Sequence, residues 1–229
     1  MKGWHSSDTY LLSNYHLPNM PRMPERPLAD RPLLTGEYTV LGLLALGPRH
    51  GYDLARVLAA DLGAVCPVEQ SLLYAYLRNL EARGLVEWEE VRTGRRPPRK
   101  IYAPSEEGWV TFRAWVHLPV ERMREVRQDL LLKIYFLRAL DPAAERRLLE
   151  RQVEVCQRYA AREAAALDAL ELNEDFPRLV AEARLSAANG TLAWLRTYLG
   201  APRTPRATSG ARPAGASTKS STEPAHRAG

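Results

Sequence analysis

The sequence predicts a mainly α-helical protein in which three helices and one two-stranded hairpin precede a set of longer antiparallel helices. Three observations carry this expectation. Apolar residues recur at spacings of three and four through most of 35–199, the mark of helices that each bury one face. Between residues 85 and 103 that period gives way to two short extended runs around a turn rich in Gly, Pro and Arg. Residues 129–140 then hold nine apolar residues out of twelve, on more than one face, which requires burial on several sides.

Composition bounds the rest. A chain of 229 residues allows one or two domains, and 45% apolar residues are enough for an ordinary core. The two cysteines, Cys66 and Cys156, lie far apart in sequence and form neither a zinc pattern nor a CxxC motif. They read as small apolar residues in a reducing, cytoplasmic setting. No basic segment followed by an apolar run opens the chain, and no stretch nears 18 consecutive apolar residues. Neither a signal peptide nor a membrane span is therefore expected. The net charge is +5. Residues 35–117 carry ten cations and ten anions, and residues 118–199 carry thirteen of each, whereas the tail, 200–229, carries five cations against one anion. Overall basicity thus says nothing about the folded part, and only local clustering does. Four regions follow: a proline-rich arm (1–34), a first folded module (35–117), a helical module (118–199) and a disordered basic tail (200–229).

Thr35 is the expected N-cap of a first, mostly buried helix over 38–46, stopped by Gly47-Pro48. A second helix spans about 50–62, with Leu54, Leu58 and Leu62 on one face. A third spans about 69–83 and ends at Gly84. Its inner face is Leu73, Leu77 and Leu80; Ser71, Tyr74, Ala75, Arg78 and Ala82 fall opposite, a small polar surface able to enter a major groove. In 85–91, Val86 and Trp88 alternate with Glu87 and Glu89, a half-buried strand, and 99–103 is the return strand. The turn between them gives the window 92–100 five cations, Arg92, Arg95, Arg96, Arg99 and Lys100, and no acid. Ser105 caps a helix through Trp109, Phe112 and Trp115, with Glu106 and Glu107 suited to its N-terminal dipole.

Three helices followed by a hairpin with a basic tip form a winged helix-turn-helix pattern. From Glu37 to about Trp115 the residues also resemble the PadR family of transcriptional regulators. The resemblance rests on Leu41-Gly-Leu-Leu, Gly47-Pro-Arg-His-Gly-Tyr-Asp-Leu54, Leu73-Tyr74 with Leu77 and Leu80-Glu81, Gly84-Leu-Val, Arg99-Lys-Ile-Tyr102 and Ser105-Glu-Glu-Gly108, in that order. Leu72 and Ala75 depart from the family pattern, which favours a small polar residue and proline there. The resemblance implies a DNA-binding regulator with C-terminal helices that pair two subunits.

Behind the first module, Asp141-Pro142 is a strong helix start, with Asp at the N-cap and Pro at the first helical position. The helix runs to about Leu172, and Leu149, Val153, Cys156, Ala160, Leu167 and Leu170 repeat at heptad spacing, interrupted at Glu163. A last helix carries Phe176, Leu179, Val180, Ala183, Ala187, Trp194 and Tyr198. A small module offers few places to bury a helix on all sides. Leu130, Ile134, Leu137, Leu149, Val153 and Cys156 are therefore read as a subunit interface.

Catalysis is not expected: GxGxxG, P-loop and GxSxG patterns are missing, and the five histidines have no metal-ligand spacing. No cofactor or metal is expected. The resulting reading is a homodimeric repressor on a palindromic operator in double-stranded DNA. Tyr52, Gln70, Ser71, Tyr74, Arg78, Arg95, Arg96, Arg99 and Lys100 are its DNA-facing candidates. Trp109, Trp115 and Trp194 are candidates for a cleft that takes a small aromatic effector. The alternative is a winged-helix scaffold that binds protein, for which a cationic wing serves no purpose.

Overall fold

The structure is a computed structural model that describes residues 31–92, 98–171 and 175–201. The expectations for residues 1–30 and 202–229, and those for Arg95 and Arg96, fall outside the described residues.

The first helix, α1 (Thr35–Ala45), begins one residue earlier than Thr35 capping would require, because Leu34 holds the N-cap position. The cap function passes to Glu37, whose carboxylate accepts from the Leu34 N–H at 2.8 Å. Thr35 instead donates its hydroxyl to Asp129 Oδ1 at 2.9 Å, 94 residues away. Glu37 is fully buried and also accepts from Arg31 Nη2 at 2.8 Å and Asn79 Nδ2 at 3.3 Å. One carboxylate thus ties the segment before α1 to the third helix, and residues 31–34 belong to the fold rather than to a free arm.

A two-residue strand, β1 (Arg49–His50), leads into α2 (Gly51–Val57), which continues as a single π-helical turn, Leu58–Leu62. The third helix, α3 (Gln70–Ala82), buries Leu73, Tyr76, Leu77 and Leu80. It ends on Gly84 at φ +68°, where an L side chain is strained. Leu85 N–H reaches Leu80 O at 2.9 Å and Gly84 N–H reaches Glu81 O at 3.0 Å, closing the last carbonyls. The strands β2 (Val86–Val91) and β3 (Arg99–Pro104) follow, and the sheet order is β1-β3-β2, antiparallel throughout. Trp88 pairs with Tyr102 and Glu90 with Lys100, so these four side chains share one face. Ser105 caps α4 (Glu106–His117) as expected, accepting from Gly108 N–H at 3.0 Å and donating to Gly84 O at 2.6 Å. That hydroxyl fastens the start of α4 to the end of α3.

A short 3-10 turn (Met123–Glu125) and a π-helical turn (Val126–Leu130) lead into α5 (Leu131–Leu140). Asp141 then caps α6 (Pro142–Asp168) by accepting from Ala144 N–H at 3.0 Å. The last helix is α7 (Asp175–Gly200). It lies antiparallel to α6: Tyr198 near its end donates to Glu145 near the start of α6 at 2.8 Å, while Arg184 faces Glu163 at 3.8 Å.

One contiguous core joins these parts. On α1, a Cβ added to Gly42 would stand 2.5 Å from the Phe136 ring of α5, so glycine is what lets the two helices approach. Phe136 also meets Phe112 of α4 edge-on, with centroids 5.4 Å apart. Buried Gln152 of α6 both accepts from Val120 N–H (2.7 Å) and donates to Val120 O (2.9 Å), satisfying the linker backbone. Leu130, Ile134, Leu137, Leu149 and Cys156 are all buried inside this core, and Val153 packs against it. The several apolar faces of α5 are thus covered within one chain, and their burial needs no second subunit.

Candidate nucleic-acid interface

The outward face of α3 carries Gln70, Ser71, Leu72, Arg78 and Ala82, all exposed. Tyr74 is not among them. Its ring lies against α2, where a Cβ on Gly51 would stand 2.7 Å from it. It is therefore a half-buried packing residue whose edge borders a surface cavity. That cavity, about 520 Å³, is lined by His50, Gly51, Tyr52, Asp53, Tyr74, Arg99, Lys100 and Tyr102. The helix-turn-helix and the base of the wing therefore open onto one concavity. Tyr52, 67% exposed, stands at its rim. His50 Nδ1 lies 3.0 Å from Lys100 O and holds β1 on the wing. Burial pushes the Tyr102 hydroxyl above its usual pKa, so it stays protonated there as a neutral donor.

Sequence periodicity missed three members of this region. β1 is too short to show any period. Trp88, read as a half-buried strand residue, is 40% exposed. Its indole N–H donates to Glu81 Oε1 of α3 at 2.5 Å, and Lys100 Nζ lies 3.6 Å from its ring centroid. Glu81 enters the sequence reading only within the Leu80-Glu81 pair that carries the family resemblance, with no partner assigned to it. The alternation that placed Trp88 on the inner face and the cationic window that holds Lys100 are the sequence signals that point towards this cluster.

The three tryptophans proposed as one effector cleft are separate. Trp115 stacks on Tyr38 at 4.7 Å and borders a cavity of about 600 Å³ with Asp129 and Lys133. Trp194 borders another, of about 500 Å³, with Val126, Leu131 and Gly190. Trp109 lines neither and meets Phe112 edge-on at 6.5 Å. Helix packing puts α4 and α7 on different sides of α5, which adjacency in an outline of the chain cannot show. Lys133 is only 4% exposed, and its ammonium donates to Leu118 O at 2.7 Å. Desolvation lowers its pKa to about 8, against the pull of Asp129 and Glu125. Burial pushes both thiols up, so Cys66 and Cys156 are weakly nucleophilic. Among the described residues, no helix is long and apolar enough to cross a membrane, and no group of three or more His, Cys, Asp or Glu is placed to hold a metal ion.

Three helices, a helix-turn-helix corner and an antiparallel hairpin with a cationic base define a winged helix-turn-helix protein. Residues 40–114 match the family described as transcriptional regulator PadR-like, and residues 126–201 match the one described as virulence activator alpha C-term. Residues 40–114 thus carry a domain of the PadR-like kind found in transcriptional regulators. A curated relative, the negative transcriptional regulator PadR of Bacillus subtilis (strain 168), is 27% identical over 106 residues. That match spans 45% of this chain and 57% of the relative. Among solved structures, Bacillus subtilis PadR in complex with operator DNA is 23% identical with a TM-score of 0.37, over 74% of this chain and 98% of that one. The Vibrio cholerae virulence activator AphA is 19% identical with a TM-score of 0.32, over 72% of this chain and 95% of that one.

Proposed function

We propose that the protein is a cytoplasmic, homodimeric repressor that binds a palindromic operator, with α3 in the major groove and the wing along the backbone. The observation that carries this is the shared concavity: Tyr52 of α2, the edge of Tyr74 and Arg99 of the wing converge beside the exposed polar face of α3. Gln70, Ser71 and Arg78 are the base-facing residues on this reading, and Tyr52 and Arg99 grip phosphate. Arg95 and Arg96 extend the grip at the wing tip. The name of the curated relative, a negative regulator, supports repression. Pairing of subunits uses the faces of α7 left open in one chain, where Phe176 is 73% and Leu179 59% exposed. A small aromatic effector fits the cavity beside the Tyr38–Trp115 stack, at the seam between α4 and α5.

The test is a salt titration of wild type, Arg99→Ala and Arg78→Ala on genomic operator fragments and on scrambled duplex. Arg99→Ala should reduce the magnitude of the slope of log K against log salt by about 0.9 on both duplexes. Arg78→Ala should cost roughly 1–3 kcal/mol on the operator alone and relax preference at one base pair in each half-site. Equal losses on operator and scrambled DNA for Arg78→Ala would remove α3 as the reader.

A further inference from the structure

Lys100 sits in the cationic window of the wing, yet its charge is already engaged. Its Nζ is 3.9 Å from Glu81 Oε1 and 3.6 Å from the Trp88 ring centroid. The same Glu81 oxygen accepts the Trp88 indole N–H at 2.5 Å. Three side chains from α3, β2 and β3 thus close a bracket between the end of the third helix and the inner face of the hairpin. Strand register makes this possible, since Trp88 and Lys100 lie on one face as diagonal neighbours. The indole N–H donated to the carboxylate is a charge-assisted hydrogen bond, stronger than a neutral one, while the ammonium stands beside the same oxygen as an ion pair. Arg99, the next residue, points away from this face and has no ion pair among the described residues.

We propose that Glu81, Trp88 and Lys100 are positioning residues that set the angle of the wing on the reading helix, and that Glu81 keeps the Lys100 ammonium off the DNA backbone. This rests on the DNA-binding reading above and divides the wing's cations into two kinds. Arg99 grips phosphate, whereas Lys100 is a strut. The division has a consequence for selectivity. A hairpin held at a fixed angle presents its cations only to a duplex seated on α3, so the ratio of operator to random binding rises with the stiffness of the bracket.

The experiment uses the full chain and four variants. Lys100→Met should leave the salt slope unchanged, in contrast to Arg99→Ala. Glu81→Gln keeps an acceptor for the indole but releases the ammonium, so the slope should steepen by about 0.9 on operator and scrambled duplex alike. The double variant Glu81→Gln, Lys100→Met should lose that steepening, which separates release of Lys100 from simple removal of a negative charge. Trp88→Phe keeps a ring under Lys100 but removes the N–H. Amide exchange in β2 and β3 should then quicken severalfold while circular dichroism is unchanged. A Lys100→Met slope that falls by about 0.9 makes Lys100 an ordinary phosphate contact and overturns the proposal. So does unchanged amide exchange in Trp88→Phe, a readout that needs no DNA. If no duplex is bound by any form, the DNA reading fails by itself, and the exchange arm still decides the bracket.

Discussion

Lys133 concentrates the physical tension of the molecule in one side chain. Its ammonium is buried, holds the C-terminal carbonyl of α4 and lies 4.9 Å from the centroid of Trp115. With its pKa lowered from 10.5 to about 8, the folded protein releases this proton before the unfolded chain does. Between those values the unfolded state binds more protons, so this group's contribution to stability rises with pH across about 8 to 10.5. Buried Cys66, Cys156, Tyr76 and Tyr102 and half-buried Tyr38 are raised and act in the opposite sense at the alkaline end. Chemical denaturation of wild type and Lys133→Met at pH 7, 8, 9 and 10 isolates the lysine, because only the difference between the two carries it. That difference should shift in favour of wild type as pH rises; a flat difference would mean that the ammonium is well solvated. Buried Glu37 accepts from Arg31 and Asn79, and Asp129 accepts from Thr35, and none of these pairings was visible from local sequence.

At the level of elements, glycine and capping residues decide which helices touch. Gly42 lets α1 lie directly on Phe136 of α5. Gly42→Leu should force them apart and cost about 1–3 kcal/mol, since an aromatic ring at the centre of a core cannot retreat like the end of a flexible chain. Thermal denaturation would measure this, and an unchanged Tm would show that the helices slide freely. Asp141→Ala removes the side-chain acceptor at the start of α6, and about 1 kcal/mol with it. Denaturant titration checks this, and full recovery by Asp141→Ser would confirm that the cap and not the charge matters. The elements with strong punctuation, α3 with Gly84, α4 with Ser105 and α6 with Asp141-Pro142, lie close to where their sequences place them. The π-helical turns at 58–62 and 126–130 were not legible, because apolar spacing of three and four reads the same with one residue inserted.

For the molecule as a whole, the shared core changes what a single substitution should do. Ile134 lies inside one chain, so Ile134→Asp should unfold the protein rather than split a dimer into folded monomers, because it buries an unpaired charge. Leu179→Asp, on an exposed face of α7, should instead leave the far-ultraviolet circular dichroism intact and lower the sedimentation coefficient of a dimer. A folded, smaller Ile134→Asp species would return the interface to α5. The shared core also means that anything seated beside Trp115 touches α4 and α5 at once.

The order of helices, the hairpin, the caps of α4 and α6 and the exposure of Ser71 and Arg78 on α3 were written in the sequence, because each depends on neighbours within about four residues. Periodicity and punctuation suffice for such features. What covers α5 was not written there. A run that is apolar on all sides states only that it must be buried, and the same pattern serves a subunit interface or an internal layer equally well. Tertiary structure decided for the internal layer by bringing Gly42, Phe112 and α6 around it. In the same way, the sequence assigns the cations of the wing one sign of charge and no difference in role. Only the register of β2 on β3 and the reach of Glu81 from α3 distinguish a lysine held by the protein from an arginine left open to a partner.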